Sequence, residues 1–194
     1  MLDLTSGSGA DLLRAVTGLP RLPEGLAPER EHELVAAEAA LLDYVKSFAH
    51  IVNSADIDAV VDCYAPDCIC ISPRGRYVGT AEVRRNYELY YDPVRWFTLW
   101  TNVTARFVRP FDVAYVSAYQ YSIGVSAADQ AAKGAISTDV WRVTWTGRSW
   151  QIVERRIDIL DRYTHTLPPA ASGTSADGGR HAASVHSDGD ISRR

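Results

Sequence analysis

The chain has almost no lysine, a single methionine and no long apolar run. Of its 20 basic residues only Lys46 and Lys133 are lysines, and 24 acids outnumber the bases to leave a net charge of −4. A chain without a basic surplus carries no electrostatic footprint for nucleic acid, so no nucleic-acid partner is expected. The longest apolar stretches are a handful of residues, such as Ala39 to Leu42. A membrane-spanning helix needs ~20, so no membrane partner is expected either. The opening MLDLTSGSGADLLR puts acids where a secretory leader has bases and has no apolar centre, which predicts a cytoplasmic protein.

Cysteine is also scarce. Cys63, Cys68 and Cys70 crowd into eight positions; an odd count of this kind predicts reduced, buried thiols and not a disulfide framework. No further Cys and no suitably spaced His completes a zinc set, so no metal is expected. The sequence has no Gly-rich phosphate loop and no G-x-S-x-G elbow, and no organic cofactor is expected.

What is present has a globular balance. With 194 residues, 46% hydrophobic and 23% charged, the chain has room for one domain and is not globally disordered. Residues 1–32 carry Gly18, Pro20, Pro23, Gly25 and Pro28 with little periodicity and read as an irregular extension. From Pro168 onward there is no Leu, Phe, Tyr or Trp, so 164–194 read as a disordered tail and 33–163 as the folded unit.

Inside that unit, Leu34, Leu41, Val45, Phe48 and Val52 form one apolar stripe at helical spacing, with Asp43, Lys46, His50 and Asn53 on the wet face. A second short helix begins at Asp56, a natural N-cap, and stops before Pro66; a third is expected to start at Thr80 and end at Asp92-Pro93. A short strand at Cys68–Ser72 lies between them. After Pro93 the period changes to two, predicting long strands at about 95–108, 112–124, 135–146 and 149–160. Helices followed by an antiparallel meander indicate an α+β fold with helices covering one face of a curved sheet.

Three stretches together carry a resemblance: YAPDCICISPRGRYVG after the amphipathic helix, the helix TAEVRRNYELYY, and the final hairpin STDVWRVTWTGRSWQIVERRID. They resemble the SnoaL-like branch of the nuclear transport factor 2-like superfamily, which includes ketosteroid isomerase and scytalone dehydratase. The resemblance implies a cone-shaped barrel, in which a strongly curved antiparallel sheet wraps around N-terminal helices. It also implies a ligand in the mouth of the cone and frequent dimers through the outer sheet face. Where ketosteroid isomerases carry an Asp base this chain has Ser72, and where the dehydratases carry histidines it has Thr98 and Trp100. On the last strand, slots that often hold histidines in related sequences hold Glu154, Arg156 and Asp158.

Strand parity supplies a separate argument for a site. A tight turn near Gly147 puts Asp139, Trp141, Val143 and Trp145 on one face with Trp150, Ile152, Glu154, Arg156 and Asp158. Large aromatics mixed with acids and an arginine suit a ligand cavity better than a solvated surface. Catalytic candidates are therefore Asp158, Asp139, Arg156 and Glu154, with Arg156 holding one carboxylate ionised as a base. The same test on the middle hairpin groups Trp96, Thr98, Trp100 and Asn102 with Tyr115, Ser117, Tyr119 and Tyr121. Trp96, Trp100, Asn102, Tyr115, Tyr119, Tyr121 and Trp141 are the expected substrate-binding residues. Phe97, Leu99, Val103, Phe107, Val116 and Ala118 form the opposite, purely apolar face, from which a homodimer is expected.

Two functions follow as expectations. One is a cofactor-independent isomerase, cyclase, dehydratase or epoxide-opening enzyme that uses carboxylates on a small hydrophobic, oxygenated molecule such as a polyketide or terpenoid intermediate. The other is a non-catalytic binding or assembly module of the same fold.

Overall fold

The computed structural model describes residues 1–21, 23, 26–92, 94–109, 111–126 and 131–166. The expected disordered tail lies, beyond Thr166, outside the described residues. Among the described residues four α-helices, α1 (Gly9–Thr17), α2 (Glu31–Ser54), α3 (Ile57–Asp62) and α4 (Gly79–Tyr91), accompany six strands. The strands are β1 (Tyr64–Ser72), β2 (Gly75–Val78), β3 (Val94–Arg109), β4 (Val113–Ser126), β5 (Ala131–Trp145) and β6 (Trp150–Thr166). They form one sheet in the order β2-β1-β6-β5-β4-β3, antiparallel except where β1 meets β6. The sheet is curled and not closed, with α2, α3 and α4 in its hollow.

The helices follow the sequence pattern. The α2 stripe of Leu34, Leu41, Val45, Phe48 and Val52 is buried throughout. Its last turn is tied to β3, because the Asn53 amide donates to the Thr98 carbonyl at 2.9 Å and accepts from the Thr98 amide at 2.7 Å. Asp56 caps α3, accepting from Ala59 N at 3.0 Å. The third expected helix, α4, starts earlier than Thr80: Val78 is its N-cap residue, and Glu82 reaches back to accept from the Val78 amide at 2.6 Å. Among the described residues no helix is long and apolar enough to cross a membrane.

The first 32 residues are not irregular throughout. Ser8 caps α1 by accepting from Asp11 N, and Leu12 and Val16 bury themselves with Leu4 against Tyr115 and Val140 on the outer face of the sheet. Gly9 lets the helix start touch the sheet, since a β-carbon there would stand 2.1 Å from Thr138 Oγ1. At the other end β6 runs to Thr166, past the expected boundary at 163.

Four register shifts bend the long strands. In β6, Val153 is an extra residue between the pairs Val143–Ile152 and Arg142–Glu154, and Leu160 is another between Ser137–Ile159 and Ile136–Asp161. In β3 one lies at Asn102, whose φ is 51°, and one at Val108. Each inserted residue inverts which side chains face the hollow from that point onward.

Candidate functional site

Between Val153 and Leu160 the odd-numbered residues of β6 face inward. Trp141 pairs with Arg155 and Asp139 with Ile157. This puts Asp139, Trp141 and Arg155 together under α2, in place of the expected Asp139–Arg156–Asp158 array. Asp139 and Arg155 form a buried ion pair with side-chain exposures of 0% and 2%. The guanidinium binds in a fork: Nε donates to Oδ1 at 3.0 Å and Nη2 to Oδ2 at 2.6 Å. Two indoles complete the carboxylate shell, Trp100 Nε1 donating to Oδ2 at 2.7 Å and Trp141 Nε1 to Oδ1 at 2.5 Å. Each carboxylate oxygen thus accepts two bonds, which is how a buried charge is tolerated.

The third guanidinium nitrogen serves two phenols. Arg155 Nη1 donates to Tyr64 Oη at 2.8 Å and to Tyr87 Oη at 2.6 Å, and the two phenol oxygens are 3.2 Å apart. Phe48 and Trp141 present ring faces to Arg155 at 5.1 and 5.2 Å. Burial works hardest against the Arg155 cation, yet the attraction of Asp139, the two tyrosines and the hydrogen bonds to Asp139 together hold its pKa well above the ordinary range. Burial pushes the Tyr87 phenol up to about 12, with Arg155 opposing, so at neutral pH Tyr87 is a proton donor.

This network forms the floor of an open cavity of about 570 Å³. Tyr87, Trp100 and Arg155 reach it from the network, joined by Asn86, Gln120 and Ser137. Nearer the mouth Tyr90 stacks on Trp96, ring centroids 5.4 Å apart, and donates or accepts at Thr98 Oγ1 at 2.9 Å. Asp139 does not line the cavity; it stands behind Arg155 and Trp100. No carboxylate and no imidazole lines it among the described residues.

Of the expected site residues, Trp96 and Trp100 line the cavity, while Asp139 and Trp141 build its floor from behind. The other catalytic candidates lie on the outer face, because the Val153 bulge turns them there. Asp158 accepts from the Gly9 amide at the start of α1 and from Arg156 Nε, the latter at 2.8 Å. Glu154 pairs with Arg142 at 2.7 Å on the same side. The carboxylate of Asp158 is thus a clamp for α1 in this structure, favourably placed at the positive end of a helix.

The middle hairpin is corrected in the same way. Its register pairs Trp96 with Gly124, Thr98 with Ser122 and Trp100 with Gln120, so even faces even. Tyr115, Tyr119 and Tyr121 consequently stand on the outer face; Tyr115 is buried under the N-terminal segment and donates to the Leu2 carbonyl at 2.9 Å. Asn102 is exposed at its bulge, and Val116 and Phe107 turn into the hollow. Arg155, Tyr64 and Tyr87 were not singled out by the sequence. Their signal is the pair Arg155-Arg156, of which parity selects the wrong member once a bulge intervenes.

No family model and no curated protein matches the chain. Solved structures do. A hexachlorocyclohexane dehydrochlorinase from Novosphingobium barchaimii is similar at 13% identity over 72% of this chain and 99% of its own, TM-score 0.61. A protein of Novosphingobium aromaticivorans assigned as a scytalone dehydratase is similar at 12% identity over 75% and 97%, TM-score 0.61. A ketosteroid isomerase-like protein of Erwinia carotovora atroseptica is similar at 20% identity over 64% and 96%, TM-score 0.55. Together with the curled six-stranded sheet and the helices in its hollow, these likenesses show that the chain shares the α+β fold of these proteins, as the sequence resemblance implied.

Proposed function

We propose that this chain is a cofactor-independent enzyme that holds a small, apolar, oxygenated molecule in the cone cavity and stabilises negative charge developing on one of its oxygens. The observation that carries this reading is the relay Asp139–Arg155–Tyr87, buried along its length and ending on the cavity. A phenol that accepts a hydrogen bond from a fixed cation is a stronger donor to a third group. Preorganised donors of this kind lower the barrier to forming an enolate or alkoxide. The proton lost from the substrate goes to a cavity water or to a second oxygen of the substrate, since the lining offers no carboxylate among the described residues. Isomerisation, cyclisation and dehydration of a polyketide-like or terpenoid intermediate all fit that chemistry. The similar structures, which include a dehydrochlorinase and a ketosteroid isomerase-like protein, support a reaction in this class.

A second reading, a non-catalytic binding module, is favoured by the lack of a carboxylate or imidazole among the described lining residues. Tyr87→Phe separates the two. Once a ligand has been found by thermal shift and its turnover by mass spectrometry, the variant is expected to lose about 10²–10³ in kcat while binding the ligand nearly as well. Undiminished turnover in Tyr87→Phe would end the enzyme assignment as drawn, and ligand binding by the native protein without any turnover favours the module.

The reading extends to a homodimer and a reducing compartment. Phe97, Leu99, Tyr121, Ile123 and Val125 stand exposed and side by side on the outer face of β3 and β4, an apolar patch that a second copy would cover. Leu99→Lys is expected to give a monomer by sedimentation; a native species of 21.4 kDa at micromolar concentration counts against the dimer. The free, buried Cys63, Cys68 and Cys70 fit a cytoplasmic setting.

A further inference from the structure

The charge at the cavity mouth is one-sided. The chain as a whole has fewer bases than acids, yet away from the Asp139–Arg155 pair the cavity is lined by Arg74 and Arg162 and, among the described residues, by no Asp or Glu. The two come from separate places on the rim. Arg74 sits in the turn between β1 and β2, and Arg162 on β6, beyond the Leu160 bulge that turns it inward opposite Ala135. The neighbouring acid does not cancel Arg162: Asp161 alternates to the other face and accepts from the Arg162 backbone amide at 2.8 Å. A concave site walled with one sign of charge concentrates ligands of the opposite sign.

The wall beside these cations is flat and aromatic. Trp96 lies across Gly124, the residue it pairs with on β4; a β-carbon at that position would meet the indole at 2.8 Å. The glycine therefore lets the ring lie down on the strand, where Tyr90 stacks on it at an interplanar angle of 21°. The Arg74 guanidinium is 5.7 Å from the centre of the Tyr90 ring, so cation and aromatic slab form one surface. Ile157 and Ile159 face the same space.

We infer that the cavity takes a planar aromatic acid, its ring between the edges of the Trp96–Tyr90 pair and the side chains of Ile157 and Ile159, and its carboxylate at the rim, held by Arg74 and Arg162. The assignment rests on the reading of the cone cavity as the ligand site and adds the charge and shape of the ligand. Guanidinium groups suit a planar carboxylate because their N–H donors meet both oxygens at once. An ester or an unsubstituted ring keeps the apolar ring contacts and loses the rim contacts.

The test uses sodium naphthoate, its methyl ester and naphthalene as probes, with binding read from quenching of tryptophan fluorescence and confirmed by calorimetry on the full chain. Naphthoate is expected to bind at least about tenfold more tightly than the ester, the usual scale of a charge-assisted contact. That advantage should shrink in high salt and vanish in the double variant Arg74→Gln/Arg162→Gln. Both arginines are solvent-exposed, so the variant is expected to keep the native melting temperature. Tyr87→Phe should leave the preference for naphthoate intact, which separates this assignment from the catalytic one. If the ester binds as tightly as the acid, or if the preference survives loss of both arginines, the inference is overturned while the cavity reading stands. If none of the three probes binds, the cavity reading falls and takes the inference with it.

Discussion

The buried Asp139–Arg155 pair supports a quantitative prediction. In Asp139→Asn the side chain keeps its size, but Arg155 loses its counter-ion at a site only 2% exposed. One of the two oxygens that now accept from Arg155, Trp100 and Trp141 becomes an NH2 facing donors. Removing one partner of a buried, hydrogen-bonded ion pair costs about 3–5 kcal/mol, because the remaining charge stays desolvated. For a chain of this size each kcal/mol lowers Tm by about 2–4 °C, so a fall of roughly 6–20 °C is expected by calorimetry at neutral pH. The double variant Asp139→Leu/Arg155→Met removes both charges together and is expected to melt no lower than Asp139→Asn, despite the indole and phenol groups it leaves unpaired. A fall of less than about 2 °C in Asp139→Asn, or strictly additive losses in the double variant, would refute the claim that this pair organises the cavity floor.

Gly9→Val should lower Tm by several degrees, since its side chain would collide with Thr138 and Asp158 and overpacking costs about 1–3 kcal/mol; an unchanged Tm means that α1 does not dock there. Alkaline pH should destabilise the fold. Burial raises the pKa of Tyr87 and of Cys70 to about 12, above the unfolded values of about 10 and 8.5. The unfolded chain therefore releases these protons first, so the stabilisation is complete below those unfolded values and is lost as pH rises through them toward 12. Urea unfolding that is equally hard at neutral pH and near pH ~10.5 would contradict this. Removing residues 168–194, which contain no Leu, Phe, Tyr or Trp, should leave Tm unchanged; a drop of several degrees on truncation would show that the segment packs on the domain.

How much of this was legible in the sequence depended on which periodicity was being read. The α2 face was fully legible because Leu34, Leu41, Val45, Phe48 and Val52 sample one helix face over many turns, and no single residue can displace the pattern. The α3 start was legible because Asp56 is a local cap. The start of α1 was not: its burying residues, Leu12 and Val16, are a single pair among glycines and prolines, and what holds them is the distant sheet face at Tyr115 and Val140. Local sequence carries no record of a contact made more than a hundred residues away.

Strand faces are a harder case, because a period of two is inverted by one inserted residue. Asp139 and Trp141 were assigned inward correctly, and up to Ile152 so was the opposing strand. Val153 then reversed the stretch up to Leu160, exchanging Arg155 for Arg156 and sending Asp158 out to α1. The bulges at Asn102 and Val108 likewise shifted β3 against β4 and carried Tyr115, Tyr119 and Tyr121 to the outer face. These insertions have a structural cause. A long antiparallel sheet curls around helices only if its strands bend, and bulges supply the bend and the added twist. The curvature that creates the hollow is therefore produced by the same residues that scramble the parity from which its lining would be read. Recognition of a cone-shaped sheet is itself a reason to distrust uninterrupted alternation along β3 and β6. The residue type that marks the site through such shifts is the one whose burial has the fewest solutions: an arginine that with two indoles fills the carboxylate's acceptor positions and gives its remaining nitrogen to two phenols.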